Sequence, residues 1–107
     1  MTKLTTHVLD TSAGVPAAGV KIFLQKDGQC LAQTCTNQDG RCDHPLLENF
    51  ASGTYELMFM IGEYFDARGI DSPFLREIII RCDLTAGQSY HVPLLTSPWA
   101  YSTYRGS

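Results

Sequence analysis

Val20-Lys21-Ile22-Phe23-Leu24, followed by Lys26-Asp27-Gly28-Gln29, reads as a strand entering a tight hairpin. Asp-Gly supplies the positive φ angles that a two-residue hairpin turn requires, and the apolar residues before it alternate as a half-buried strand does. Outward from this pair the same pattern recurs. Leu4 to Leu9, Cys30 to Thr36, Thr54 to Ile61, Glu77 to Cys82, Gln88 to Leu95 and Tyr101 to Tyr104 each have strand length. Turn-forming segments separate them, among them Ser12-Ala13-Gly14, Asn37-Gln38-Asp39-Gly40, Ala51-Ser52-Gly53, Asp71-Ser72-Pro73 and Thr85-Ala86-Gly87. About seven strands at this spacing predict an all-β sandwich or barrel. Gly62 to Gly69 breaks the alternation, and Gly69 stands where a helix would stop, so a short helix is expected there.

The chain has 107 residues, 44% hydrophobic and 18% charged, which suits one domain over 1–107 with a packed core and disfavours disorder. The formal net charge is −3, with no run of Lys or Arg, so neither nucleic acid nor an anionic membrane is an expected partner. No apolar stretch reaches the roughly 20 residues that span a bilayer, and Met1 to His7 lacks the apolar run of a signal peptide. A cytosolic protein is the expectation, if Met1 is the natural start. Cys30, Cys35, Cys42 and Cys82 are accordingly read as thiols. Cys30, Cys35, Cys42 and His44 could be drawn together around zinc, but no C-x-x-C pair is present and the spacing is not that of common zinc modules, so no metal is expected.

Four features could carry chemistry. His7 shares one face of its strand with Thr5 and Leu9, where it is either a half-buried histidine bonded to a neighbour or a functional group. His91 lies two residues before Pro93, which removes a ladder donor and so predicts an edge strand or one covered by another chain. Arg41 follows the Asn37–Gly40 turn, either as a solvated surface charge or as a planar donor fork for carbonyl oxygens or an anion. The end, Tyr104-Arg105-Gly106-Ser107, joins a phenol, a guanidinium and a hydroxyl, where exposed tails more often hold polar filler that frays.

Several segments together resemble the 5-hydroxyisourate hydrolases, a family similar in sequence and fold to the hormone carrier transthyretin. They are Leu4-Thr5-Thr6-His7-Val8-Leu9-Asp10, Gly14-Val15-Pro16-Ala17, Thr36-Asn37 with Asp39-Gly40-Arg41-Cys42, Tyr90-His91-Val92-Pro93-Leu94-Leu95, Ser97-Pro98 and Tyr101 to Ser107. The terminal Tyr-Arg-Gly-Ser is the most specific of these, because the hydrolase branch carries it and the hormone-carrying branch does not. Phe74-Leu75-Arg76-Glu77 and Trp99-Ala100 depart from the commoner spelling, and His44 matches no family motif.

The resemblance implies a sandwich of two four-stranded sheets with one short helix. It implies a homotetramer with active sites at the dimer–dimer interface, in a central channel, and needs no cofactor or metal. The implied reaction opens the ring of 5-hydroxyisourate by hydrolysis at the N1–C6 amide, within urate breakdown. By the same resemblance His7, Arg41 and His91 map onto catalytic positions, while His7, Arg41, Tyr104, Arg105, Gly106 and Ser107 map onto substrate-binding ones. Amide hydrolysis needs an activated water and a donor for the developing oxyanion, and a neutral His is the natural base near pH 7. Direct attack by water is expected rather than an acyl-enzyme on Ser107. The rival readings are a transthyretin-like carrier of a small aromatic ligand, without catalysis, and a plain interaction module.

Overall fold

The computed structural model describes residues 2–106 as two face-to-face β-sheets with one short helix. In chain order the elements are β1 (Lys3–Asp10), β2 (Val15–Pro16), β3 (Lys21–Lys26), β4 (Gln29–Cys35), β5 (Leu47–Glu48), β6 (Gly53–Phe59), α1 (Ile61–Ala67), β7 (Ile78–Leu84), β8 (Tyr90–Thr96) and β9 (Tyr101–Thr103). One sheet runs β4-β3-β6-β7. The other runs β2-β1-β8-β9, with the two-residue β5 also paired to β1, so the expected four-stranded pair gains a short fifth member on one side.

Every long strand of the sequence reading is present, with ends moved by at most two residues. Asp27 and Gly28 take φ of 51° and 78°, the positive pair that closes the β3–β4 hairpin. The strand expected over Thr54–Ile61 stops at Phe59 because Ile61 opens α1. The helix closes as expected near Gly69, whose N–H donates to the Asp66 carbonyl at 3.0 Å.

Alternation decides which residues enter the core. Along β1 Leu4, Thr6, Val8 and Asp10 point inward, and Thr5, His7 and Leu9 point outward. Leu4 and Val8 join Ile22, Leu24, Leu57, Phe59, Phe65 and Leu94, all fully buried, between the sheets. Burying a side chain of this kind contributes roughly 1.5–3 kcal/mol. Among the described residues no helix is long and apolar enough to cross a membrane.

The buried carboxylate of Asp10 ties the helix to this core. Tyr64 Oη donates to Asp10 Oδ2 at 2.9 Å, and Oδ1 accepts from Ser12 Oγ at 2.6 Å and from the Ser12 and Ala13 N–H groups. Burial pushes the Asp10 carboxyl up, but these donors outweigh it and hold its pKa below 3.8. Tyr64, buried against the same carboxylate, is pushed up to about 12. The stability supplied by Asp10 is therefore intact above 3.8 and is lost as acid protonates it. Tyr64→Phe should destabilise the fold by about 1–3 kcal/mol, the cost of leaving a buried acceptor short of a donor. Urea denaturation of the two proteins would measure it, and unchanged midpoints would show that the contact is energetically idle.

Pro93 does not mark an edge. β8 is an interior strand, paired in parallel with β1 and antiparallel with β9. The His91 and Pro93 carbonyls face the C-terminal segment, accepting from Gly106 N–H and Thr103 Oγ1, whereas the Val92 carbonyl faces β1. The missing N–H of Pro93 thus points to the side where the β9 ladder, which begins at Leu94 opposite Thr103, has a gap before Gly106. No ladder bond is lost there, so an interior proline is tolerated.

Candidate active site

Parallel pairing sets Thr5 opposite His91 and His7 opposite Pro93. Side chains alternate across a strand, so Thr5, His7 and His91 emerge together on the outward face, each half-buried. Two polar side chains from the start of the chain and one from near its end are thereby placed side by side.

His7 is held by the turn that follows β4. Its Nε2 donates to the Asp39 carbonyl at 2.9 Å, and because a carbonyl only accepts, the neutral ring keeps its lone pair on Nδ1. The same turn carries Arg41. Asn37 Oδ1 accepts from the N–H groups of Asp39 at 2.9 Å and Arg41 at 3.2 Å, and the Asn37 N–H donates to the Arg41 carbonyl at 2.7 Å. A backbone bridge between His7 and Arg41 fastens this turn to β1. Gly40 is required at its tip, since it has φ of +75° and a Cβ there would collide with the Val8 carbonyl oxygen. The exposed Arg41 side chain lines a cleft of about 150 Å³ with Thr5, Thr6, Cys42 and His44.

His91 is held from two sides. Nδ1 lies 2.9 Å from Thr5 Oγ1, and the Gly106 N–H donates to the His91 carbonyl at 2.7 Å. A Cβ on residue 106 would fall 2.7 Å from His91 Cδ2, so glycine lets the chain pass against the ring edge. Burial lowers the His91 pKa below 6.5, and the nearby charges of Arg41 and His7 lower it further. The ring is therefore neutral near pH 7 and has a lone pair to offer. Lys3, Thr5, Ser89, Tyr90 and Gly106 form with it a second cleft, of about 200 Å³.

The structure thus brings His7, Arg41, His91 and Gly106 together. It sets the Tyr104 and Arg105 side chains elsewhere in the single chain, in a groove of about 290 Å³ with Arg81, Asp83 and Val92. Arg105 lies 4.2 Å from the centroid of the Tyr90 ring and donates to the Ser89 carbonyl at 3.1 Å, which pins the tail where it turns toward His91. That groove holds no histidine, so although larger it offers no base of the kind the His7–His91 face has. Ser107 lies outside the described residues. Cys30, Cys35, Cys42 and Cys82 are free thiols, and among the described residues no three His, Cys, Asp or Glu side chains converge as metal ligands would.

Two participants were not singled out by the sequence reading. Thr5 had a signal, its place on the His7 face of β1, but its meeting with His91 depends on a pairing across 86 residues. The Asp39 carbonyl had none, because every residue has one.

Three comparisons bear on this arrangement. Residues 4–106 match the model of the HIUase/Transthyretin family. A curated relative, the 5-hydroxyisourate hydrolase of Pseudomonas aeruginosa, is 50% identical over 117 aligned residues, covering 100% of this chain and 93% of its own. The solved 5-hydroxyisourate hydrolase of Klebsiella pneumoniae superposes with a TM-score of 0.90 at 36% identity, over 100% of this chain and 94% of that one. Sea bream transthyretin in complex with thyroxine gives 0.87 at 26%, over 97% and 94%. The fold is therefore shared with both branches while the sequence sides with the hydrolases, and the chain belongs to the HIUase/Transthyretin family.

Proposed function

We propose that this chain hydrolyses 5-hydroxyisourate to 2-oxo-4-hydroxy-4-carboxy-5-ureidoimidazoline. The observation that carries the reading is the convergence of His7, Arg41 and His91 on one outward sheet face, each held by a specific backbone or hydroxyl partner. Full-length relatives at about half identity carry the hydrolase name, which supports catalysis over mere carriage of a ligand.

In the proposed reaction a water adds its oxygen to C6 and gives a proton to a histidine lone pair. The C6–N1 bond then breaks, and N1 receives a proton from the same pair of rings. His7 and His91 share this traffic, and the Arg41 guanidinium donates to the oxygen that gains charge on C6. The tail helps to close the pocket through Gly106, which lines the His91 cleft and donates its N–H to the His91 carbonyl. Each cleft of the single chain, at about 150 and 200 Å³, is smaller than the roughly 300–1,000 Å³ usual for ligand sites. A second copy supplying the opposite wall fits this shortfall, and our reading is a homotetramer with sites between dimers. Four unpaired thiols suit a reducing compartment, and our reading of location is cytoplasmic.

The direct test generates 5-hydroxyisourate with urate oxidase and follows its ultraviolet absorbance with and without the protein. Accelerated decay is expected, and unaltered spontaneous decay would reverse the reading. The same assay gives a pH prediction. With the His91 pKa depressed by burial, Arg41 and His7, kcat/KM should hold above 6.5 and fall on acidification with a midpoint below that value. Arg41→Gln should move the midpoint back toward 6.5, whatever it does to the rate. A profile flat to well below this range would remove His91 from the role of base.

A further inference from the structure

The Thr5 hydroxyl has no part in the proposed reaction so far, yet it faces a ring nitrogen of the candidate base. Thr5 Oγ1 lies 2.9 Å from His91 Nδ1, the two residues are direct partners in the β1–β8 register, and Thr5 lines both the cleft that holds His91 and the cleft that holds Arg41. A β-branched residue on a strand has a stiff χ1, so the hydroxyl is presented from a fixed place rather than from a roaming side chain. Gly106 presses on the opposite edge, at Cδ2. With one edge of the ring held by the hydroxyl and the other by the tail, Nε2 is the ring nitrogen without a protein partner among the described residues.

We infer that Thr5 is a positioning residue for the reaction, its hydroxyl accepting from His91 Nδ1–H so that the Nε2 lone pair is the one offered to water. This rests on the reading of His91 as a participant in hydrolysis. A hydroxyl suits the task because it accepts from Nδ1–H both before and after Nε2 takes a proton, so the ring need not turn during turnover. It also brings no net negative charge, unlike a carboxylate in the same place, and so does not raise the basicity that burial holds down. Thr5 here does for His91 what the Asp39 carbonyl does for His7: each partner decides which nitrogen keeps the proton.

The test compares Thr5→Val, which keeps the branched shape and loses the hydroxyl, with Thr5→Ser, which keeps the hydroxyl. Thr5→Val should lower kcat by about tenfold or more with KM little changed, on the scale of a misoriented general base. Thr5→Ser should restore most of the loss. In parallel, nitrogen-15 NMR of the His91 ring should show Nδ1 protonated in the parent protein and in Thr5→Ser, and a mixture of tautomers in Thr5→Val. An unchanged kcat and tautomer in Thr5→Val would overturn the inference, as would equal losses in both variants, which would point to packing. If the parent protein failed to hydrolyse 5-hydroxyisourate, the hydrolase reading would fall alone. The NMR comparison would then decide the matter, a tautomer indifferent to the hydroxyl overturning the role of Thr5 and a shifted one upholding it.

Discussion

Asn in place of His7 or His91 should cut kcat by on the order of 10²-fold or more, the scale of general acid–base help removed. Asn approximates the size of the ring and keeps a donor, so the variants should fold. Their positions favour this outcome, because both side chains point away from the core and are only half-buried. The two losses should not simply add. The rings stand on adjacent strands and share one proton path in the proposed reaction, so the double variant should cost little more than the worse single one, as residues acting as a unit do. Steady-state rates with circular dichroism would decide it. Near-normal kcat in both single variants would leave the reaction without its base and sink the mechanism.

Deletion of Tyr104 to Ser107 should lower activity by about 10²-fold, the cost of losing an ångström-scale placement at a reacting group. The structure gives this loss a local cause. The Gly106 N–H no longer reaches the His91 carbonyl, and the Cδ2 edge of the ring loses the wall against which it rests. Arg105, which pins the segment at Ser89 and the Tyr90 ring, goes with it. Little fold stability should be lost, since Tyr104 and Arg105 are exposed and the β8–β9 pairing ends at Thr103. Size-exclusion and circular dichroism belong beside the kinetics, to separate a dismantled site from a dismantled assembly. A folded truncation with full activity would make the tail dispensable and weaken its part in the site.

Much of the fold was legible because its long strands obey a period of two. Leu4, Thr6 and Val8 against Thr5, His7 and Leu9 is such a pattern, and the Asp27-Gly28 turn states its hairpin outright. β2 and β5 were not legible, since two residues have no period and these strands exist only because β1 offers them an edge. Pro93 misled for a related reason. The rule that proline avoids ladders concerns the direction of its missing N–H, and direction comes from pairing, which a single strand does not contain. At the site, His7, Arg41 and His91 were named from the sequence with the help of a family resemblance. Their partners Thr5 and Asp39 were not, because a hydroxyl and a carbonyl become informative only when a ring nitrogen stands 2.9 Å away.

The parallel seam between β1 and β8 also governs when the site comes into being. Thr5 and His91 are 86 residues apart along the chain, and His7 and Asp39 are 32 apart. The hairpin at Asp27-Gly28 closes locally, but the seam waits until nearly the whole chain has been gathered, and such non-local closure is the slow part of building a β-protein. A ribosome that has released only the first two-thirds of this polypeptide has therefore supplied the His7 and Arg41 half of the site, but neither His91 nor the seam that sets it beside Thr5.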